Sequence, residues 1–137
     1  MNKIDRTKIA LPKVTCSAIA LRQLDLLVEN DFTLSGKFLR VAISGKGCDG
    51  FTYSIGFTPK LVDDFEIRLI TPQNSMNLLM DPFVAFYLQD CFIDYLQDLE
   101  SDNEGFTVKN NKAELYHGKF WKEDQEKIPP MLYTPHV

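Results

Sequence analysis

Residues 39–58 of the chain read LRVAISGKGCDGFTYSIGFT, and this stretch decides the fold. Apolar residues alternate with small or polar ones on both sides of a glycine-rich centre, from Leu39 to Ile43 and again from Phe51 to Phe57. Such alternation is typical of strands that bury one face, and the glycines at 45, 47 and 50 allow the backbone to turn tightly. The stretch therefore predicts two half-buried strands joined by a short loop.

Cys48 lies in this glycine-rich turn, where the neighbouring glycines have no side chains to shield its sulfur. Lys46 would favour the thiolate and Asp49 would oppose it, so the local charges do not rank its reactivity. Two interpretations stay open at this point. The turn either displays a functional thiol or is a hairpin loop that happens to contain a cysteine.

The length and composition predict a single globular domain. The chain has 137 residues, 45% of them hydrophobic and 25% charged, and this size can bury a core without disulfides or a structural metal. A net charge of −4 with mixed signs argues against nucleic acid as a partner. No apolar run approaches the roughly 20 residues of a membrane span, and the N-terminus lacks a secretory signal. We therefore expect a cytoplasmic protein that binds neither nucleic acid nor membrane.

The remaining patterns predict two helices and three further strands. Thr15 is the expected N-cap of a helix whose apolar face includes Leu21 and Leu24 and whose polar face includes Asp25. Asp81 with Pro82 predicts a second, short helix through about residue 88. Alternation predicts strands over 65–69, 91–96 and 105–108, so the fold class is mainly β, a β-rich α+β domain with a largely antiparallel sheet. The expected core residues under the first helix are Leu39, Val41, Ile43, Phe51, Tyr53, Ile55, Phe57, Phe65, Ile67, Leu69, Ile93 and Phe106.

Seven short motifs, in this order, carry a resemblance to a known family: Thr15–Ala18, Leu39–Val41, Lys46–Tyr53, Asp63–Asp64, Met80–Pro82, Tyr87–Tyr95 and Gly105–Ala113. Together they resemble the HesB-like family of A-type iron-sulfur cluster carriers. The resemblance implies a twisted β-sandwich or barrel-like domain with an N-terminal helix. It divides the chain into an N-terminal segment (1–13), a HesB-like domain (14–121) and a C-terminal tail (122–137).

The chain departs from the family pattern at its C-terminal motif. The family has Cys-Gly-Cys-Gly where this chain has His117-Gly118-Lys119-Phe120. The resemblance keeps Cys48 as a ligand and places His117 at the second ligand position, and His can replace Cys on iron in some clusters. Lys119, at the third position, is protonated at neutral pH and is a poor ligand.

The other two cysteines lie at positions that the family does not use as ligands. They are Cys16 and Cys91, and both are expected to be buried as small hydrophobic side chains. The chain contains no Cys-x-x-Cys pair, and its odd number of widely spaced cysteines fits a reducing compartment.

The resemblance implies an iron-sulfur cluster assembly or carrier protein. Its reduced ligand set for a cluster or iron is Cys48, with or without His117. One subunit offers too few ligands, so a site would need a homodimer or an exogenous thiol such as glutathione. Expected partners are iron-sulfur assembly or client proteins. The alternative is a metal-free HesB-like interaction module that binds a protein partner through the same face. Its aromatic and proline-rich end is either a docking segment or a segment that packs on the domain.

An enzyme with Cys48 as nucleophile and His117 as base is a third possibility. No third residue that would orient the pair is identifiable, and the resemblance implies no catalysis, so we expect the chain not to be an enzyme.

Overall fold

The computed structural model describes residues 4–31, 38–47, 50–98, 103–116, 120 and 124–131. It contains two α-helices, α1 (Ala18–Asn30) and α2 (Pro82–Tyr87). The seven strands are β1 (Lys13–Cys16), β2 (Phe38–Gly47), β3 (Gly50–Thr58), β4 (Phe65–Ile70), β5 (Ser75–Met80), β6 (Asp90–Asp98) and β7 (Asn103–Asn110). None of the helices in the described ranges is long and apolar enough to cross a membrane.

The strands form two sheets. One has the order β3-β2-β5-β4 and the other the order β1-β6-β7. The pairs β2–β3, β4–β5 and β6–β7 are antiparallel, whereas β2–β5 and β1–β6 are parallel. The predicted fold class, mainly β with two helices and largely antiparallel pairing, is confirmed.

The described residues form a hydrophobic core under helix α1, as predicted. Leu39 and Val41 of β2 and Ile93 of β6 are almost fully buried in it, together with Leu24 of α1. Of the other residues expected in the core, three on β4 are buried and five more pack against the core while partly exposed. Those eight are Phe65, Ile67, Leu69, Ile43, Tyr53, Ile55, Phe57 and Phe106. The prediction is wrong for the ninth, Phe51, which is half-buried and packs on the rings of Phe83, Tyr87 and Phe120 instead of this core.

Helix α1 begins later than the sequence predicts. Thr15 is not its N-cap, because Lys13–Cys16 forms β1 and pairs in parallel with β6. The cap is Ser17, whose hydroxyl accepts a hydrogen bond from the Ala20 amide at 3.1 Å. The same hydroxyl donates to Asp94 Oδ1 on β6 at 2.6 Å, so the cap also ties the start of the helix to the sheet.

Asp25 was predicted on the polar face of α1, and this prediction is wrong because the side chain is only 4% exposed. It accepts hydrogen bonds from the Thr71 hydroxyl, the Gln73 amide and the Asn74 side chain, all in the turn between β4 and β5. Burial alone would raise the pKa of this carboxyl, but the hydrogen bonds outweigh burial and lower it. A buried carboxylate therefore fastens α1 to the larger sheet.

The sequence patterns did not predict β5, although it supplies some of the most buried residues. Leu78, Leu79 and Met80 are fully buried in succession. A strand in the middle of a sheet can be covered on both faces, and the residues then no longer alternate between apolar and polar. β5 lies between β2 and β4 and shows this burial pattern.

The two ends of the described chain lie together. Ile4 forms an isolated antiparallel bridge with Met131, and the Asp5 amide donates to the Pro130 carbonyl at 2.7 Å. The Tyr87 hydroxyl, on α2, donates to the Lys127 carbonyl. Residues near both ends thus contact the domain, while the predicted division into segment, domain and tail stays a prediction.

Candidate functional site

The hairpin β2–β3 ends at the glycine-rich turn. Its last pair is Gly47 with Gly50, so that only Cys48 and Asp49 connect the two strands. The pairing shifts by one residue between Ile43 and Gly45, which makes Ser44 the extra residue of a β-bulge. Cys48 itself lies outside the described residues.

Gly50 brings this hairpin against the C-terminal part of the chain. Its φ is +103°, a conformation that favours glycine, which agrees with the predicted role of glycine in this turn. A Cβ at this position would lie 3.0 Å from the carbonyl oxygen of Tyr116, so the two backbones are in close contact. Gly50 follows Cys48 by two residues, and Tyr116 immediately precedes His117.

Aromatic rings fill the space around this contact. We call them the aromatic cluster, and its members are Phe51, Phe83, Phe86, Tyr87, Tyr116 and Phe120. Tyr87 is at the centre: it is 1% exposed, and the centroids of the five other rings lie 5.0–5.5 Å from its own. Burial raises the pKa of its hydroxyl to about 12, which keeps that group protonated as a hydrogen-bond donor. The cluster thus joins β3, α2 and the residues on both sides of 117–119.

A small, partly open pocket of about 20 Å³ lies beside the cluster, a volume that can hold about one water molecule. The pocket is lined by Gly50, Phe51, Tyr53, Asn110, Ala113, Tyr116 and Phe120. Burial raises the pKa of the Tyr53 hydroxyl, and a hydrogen bond with Asn110 opposes this rise. The Asn110 amide also donates to the Tyr87 carbonyl at 3.0 Å. The pocket therefore combines aromatic walls with two neutral polar groups.

Two lysine side chains lie over rings of the aromatic cluster. Lys46 Nζ is 5.4 Å from the centroid of Phe83 and 5.9 Å from that of Phe51. Lys127 Nζ is 6.0 Å from the centroid of Tyr116. Cations at these distances are attracted by the ring faces, so both lysines add to the packing of the aromatic cluster, and Lys127 is also ion-paired with Asp124 at 3.4 Å.

The chain is similar to curated proteins along most of its length. It is 35% identical over 116 residues to the putative iron-sulfur cluster insertion protein ErpA of Neisseria gonorrhoeae, and the alignment covers 83% of this chain and 92% of the relative. The chain belongs to the HesB-like family of A-type iron-sulfur carriers. This A-type carrier is also 35% identical over 83 residues to the iron-sulfur cluster insertion protein ErpA of Legionella pneumophila, which covers 58% of the chain and only 62% of that relative. No protein-family model matches the chain.

Solved structures support the fold of this A-type carrier. The crystal structure of Escherichia coli SufA, involved in biosynthesis of iron-sulfur clusters, superposes with a TM-score of 0.59 at 19% identity, over 77% of this chain and 86% of SufA. The crystal structure of IscA with a 2Fe-2S cluster superposes with a TM-score of 0.56 at 17% identity, over 72% of this chain and 85% of IscA. The resemblance to the family in fold, predicted from the motifs, is confirmed.

The predicted ligand residues of this carrier, Cys48 and His117, lie outside the described residues, as does Lys119. The structure describes the residues that flank them and brings Gly50 and Tyr116 into contact. In the described part of the chain, no three His, Cys, Asp or Glu side chains are grouped to hold a metal ion. The assignment of Cys48 and His117 stays a prediction.

Burial makes the thiols of the two described cysteines poorly reactive. Cys91 is fully buried on β6, and burial raises its pKa to about 12. Cys16 was also expected to be buried but is only half-buried, because β1 is an edge strand of the smaller sheet. Burial still raises its pKa to about 11. Thiols with such pKa values are almost entirely protonated at neutral pH, and a protonated thiol is a poor nucleophile and a poor metal ligand.

The acidic pair of the family pattern, Asp63–Asp64, has a structural role in this carrier. Asp64 accepts two hydrogen bonds from the Arg40 guanidinium, at 2.8 and 2.5 Å, and one from the Leu61 amide at 2.6 Å. Its side chain is 1% exposed, whereas Asp63 is exposed. Burial would raise the pKa of Asp64, but the bonds from Arg40 and Leu61 outweigh it and lower the pKa. Sequence reasoning missed this ion pair because Arg40 and Asp64 are distant in the chain.

Proposed function

We propose that this A-type carrier binds an iron-sulfur cluster or iron as cargo, with Cys48 and His117 as its ligands, and delivers it to client proteins. The supporting observation is the contact between Gly50 and Tyr116, which joins the two stretches that contain Cys48 and His117. The carrier would act by binding and release of its cargo, without catalysis of a chemical reaction on a substrate.

The distance along the chain supports this pairing. Cys48 is two residues before Gly50 and His117 directly follows Tyr116, so the Gly50–Tyr116 contact is close in sequence to both predicted ligands. Thiolate sulfur and imidazole nitrogen are both established ligands of iron in clusters. The protonated amine of Lys119 would not contribute a bond.

The proposed ligand set is incomplete in one subunit, because one thiolate and one imidazole leave coordination positions of the cargo open. Either a second copy of the chain supplies another Cys48 and His117, or a small thiol such as glutathione completes the site. A weakly held cargo suits a protein that must give it away, since each missing bond lowers the cost of release.

Anaerobic purification of the untagged protein tests the proposal, with measurement of iron, acid-labile sulfide and the visible absorption spectrum. We expect iron with a visible absorption band in the wild type and loss of both in Cys48→Ser and in His117→Ala. Cys16→Ser is the matched control, because it also removes one thiol but from a strand away from the hairpin turn. Equal iron content in Cys48→Ser and the wild type would overturn the ligand assignment.

Lys119→Cys gives a complementary test, because it restores one thiolate of the family motif. We expect this variant to hold more iron per subunit than the wild type and to lose it more slowly to a chelator. If the wild type and Lys119→Cys are both folded and free of iron and sulfide after anaerobic purification, the proposal fails and the metal-free interaction module takes its place.

A further inference from the structure

Residues 127–131, Lys-Ile-Pro-Pro-Met, pack on the domain, and we call them the proline segment. We propose that the surface beneath this segment is a binding site for an extended Pro-Pro segment of a partner protein. The chain's own proline segment is the intramolecular occupant of that site. This inference goes beyond the function proposed above and does not depend on it, because the contacts that carry it involve neither of the predicted cargo ligands.

Hydrogen bonds from the domain hold the proline segment near both of its ends. The Tyr87 hydroxyl donates to the Lys127 carbonyl, and the Asp5 amide donates to the Pro130 carbonyl at 2.7 Å. In both bonds the domain supplies the donor and the segment supplies a backbone carbonyl. The surface therefore binds two carbonyls that lie three residues apart.

Two consecutive prolines suit such a surface. Proline has no backbone N–H, so Pro129 and Pro130 bring no amide donor that the contact would have to satisfy. A residue that precedes proline is restricted to extended conformations, and Ile128 has φ −102° and ψ 129°. In an extended polyproline helix, which has three residues per turn, carbonyls three residues apart point in the same direction. A Pro-Pro segment is thus close to its bound shape before it binds.

The surface is preformed by residues that are fixed in the domain. Ile4, which forms an antiparallel bridge with Met131, packs against the hydrophobic core. Asp5 is 8% exposed, and Tyr87 lies at the centre of the aromatic cluster with 1% exposure. Between these contacts Pro129 is buried. Proline-rich segments typically dock on preformed surfaces that contain aromatic side chains, and the occupant of this surface has that chemistry.

The intramolecular occupant competes with any partner for the same surface. A segment tethered to its site acts at an effective concentration that is typically millimolar. The apparent affinity for a partner falls with the fraction of molecules in which the site is occupied. Weakening the chain's own segment should therefore raise the affinity for a partner, whereas removing a donor from the surface should lower it.

The experiment measures binding of a fluorescent peptide to the full chain by fluorescence anisotropy. The peptide has the sequence of residues 124–131, Asp-Gln-Glu-Lys-Ile-Pro-Pro-Met, and a control peptide has glycine in place of both prolines. Pro129→Gly/Pro130→Gly weakens the occupant within the chain, and Tyr87→Phe removes one donor while it keeps the ring. Tyr53→Phe is the matched control, because it also removes a tyrosine hydroxyl, but one that is hydrogen-bonded to Asn110.

We expect the peptide to bind the diglycine variant about tenfold more tightly than the wild type, because its site is less often occupied. Addition of Tyr87→Phe to the diglycine variant should weaken binding about fivefold, the typical effect of one net hydrogen bond. Addition of Tyr53→Phe should leave the affinity unchanged. Circular dichroism verifies that each variant is folded, and Pro130→Gly alone replaces the diglycine variant if that variant does not fold.

Three results would overturn the proposal. The first is the absence of saturable binding to the folded diglycine variant. The second is equal binding of the two peptides, which would show that the surface does not distinguish Pro-Pro. The third is a wild-type dimer in size-exclusion chromatography that disappears in the diglycine variant, which would make a second copy of the chain the occupant. Absence of iron from the wild type would refute the proposed function and leave this test unchanged.

Discussion

Replacement of Asp64 by alanine should destabilise the protein strongly, because it leaves the largely covered guanidinium of Arg40 without its counter-charge. The Arg40 side chain is 12% exposed, and its guanidinium donates to both carboxylate oxygens of Asp64. Removal of one partner of a buried ion pair costs about 3–5 kcal/mol. Arg40 retains hydrogen bonds to the Thr58 hydroxyl and the Pro59 carbonyl, which favours the lower end of this range.

We therefore expect Asp64→Ala to lower the free energy of unfolding by about 3 kcal/mol, which corresponds to a fall in Tm of roughly 10 °C for a domain of this size. Urea unfolding at pH 7, followed by circular dichroism, measures the change. With an m-value of about 2 kcal/mol/M, the midpoint should fall by about 1.5 M. Asp63→Ala is the control. Its carboxylate is exposed, so this substitution should change the free energy of unfolding by no more than about 0.5 kcal/mol.

The contribution of Asp64 to stability should fall at low pH. The folded-state pKa of Asp64 is lowered, so its stabilisation is present above the unfolded-state pKa of about 3.9 and is lost as the pH falls through the folded-state value. The difference in stability between the wild type and Asp64→Ala should thus narrow below about pH 4. The double variant Arg40→Met/Asp64→Ala should recover part of the loss, since it removes the unpaired charge. Equal costs for Asp63→Ala and Asp64→Ala, or a cost below about 1 kcal/mol, would refute this reasoning.

Three further predictions concern the helix anchor, the thiols and the hairpin turn. Asp25→Asn should lower the free energy of unfolding at neutral pH. Urea unfolding should also show a smaller loss of stability below about pH 4 than in the wild type, because the folded-state pKa of Asp25 is lowered and its contribution is lost on protonation; an unchanged pH profile would contradict this. Brief iodoacetamide treatment followed by mass mapping should label Cys48 before Cys16 and Cys91, whose pKa values are raised by burial, and faster labelling of either would contradict the order. Gly50→Ala should cost about 1–2 kcal/mol at its positive φ, as measured by thermal unfolding, and a stability equal to that of the wild type would show that the turn can relax.

Local patterns predicted most of the fold. The alternation from Leu39 to Ile43 and from Phe51 to Phe57 placed β2 and β3 correctly, because each strand has one covered face. The Asp81 cap with Pro82 predicted α2 for an equally local reason, the hydrogen bond from the Val84 amide to the Asp81 side chain.

The predictions that failed concern residues whose interaction partners are distant in the chain. β1 is only four residues long and exists because it pairs with β6, some 77 positions further along. Aspartate is usually exposed at the surface, and only the hydrogen bonds from the turn at 71–74 explain why Asp25 is buried. No pattern within α1 contains that information.

The candidate site was predictable to a similar degree. The glycine-rich turn and the motif order identified the family, and the need for glycine at position 50 follows from its positive φ. The aromatic cluster was not predicted, because its rings come from β3, α2 and the C-terminal stretch, and only the fold brings these distant segments together. Phe120 attracts attention only after the fold has placed it against Phe51.

The bulge at Ser44 also determines how many residues the loop after β2 contains. With the observed shift, Gly47 pairs with Gly50 and two residues connect the strands. If the same residues paired without this shift, Lys46 would lie opposite Gly50 and three residues would connect the strands. Hairpin loops of two and three residues use different turn types. Deletion of Ser44 would remove the bulge and leave Gly47 opposite Gly50, so the strand would become regular while the two-residue connection that contains Cys48 kept its length.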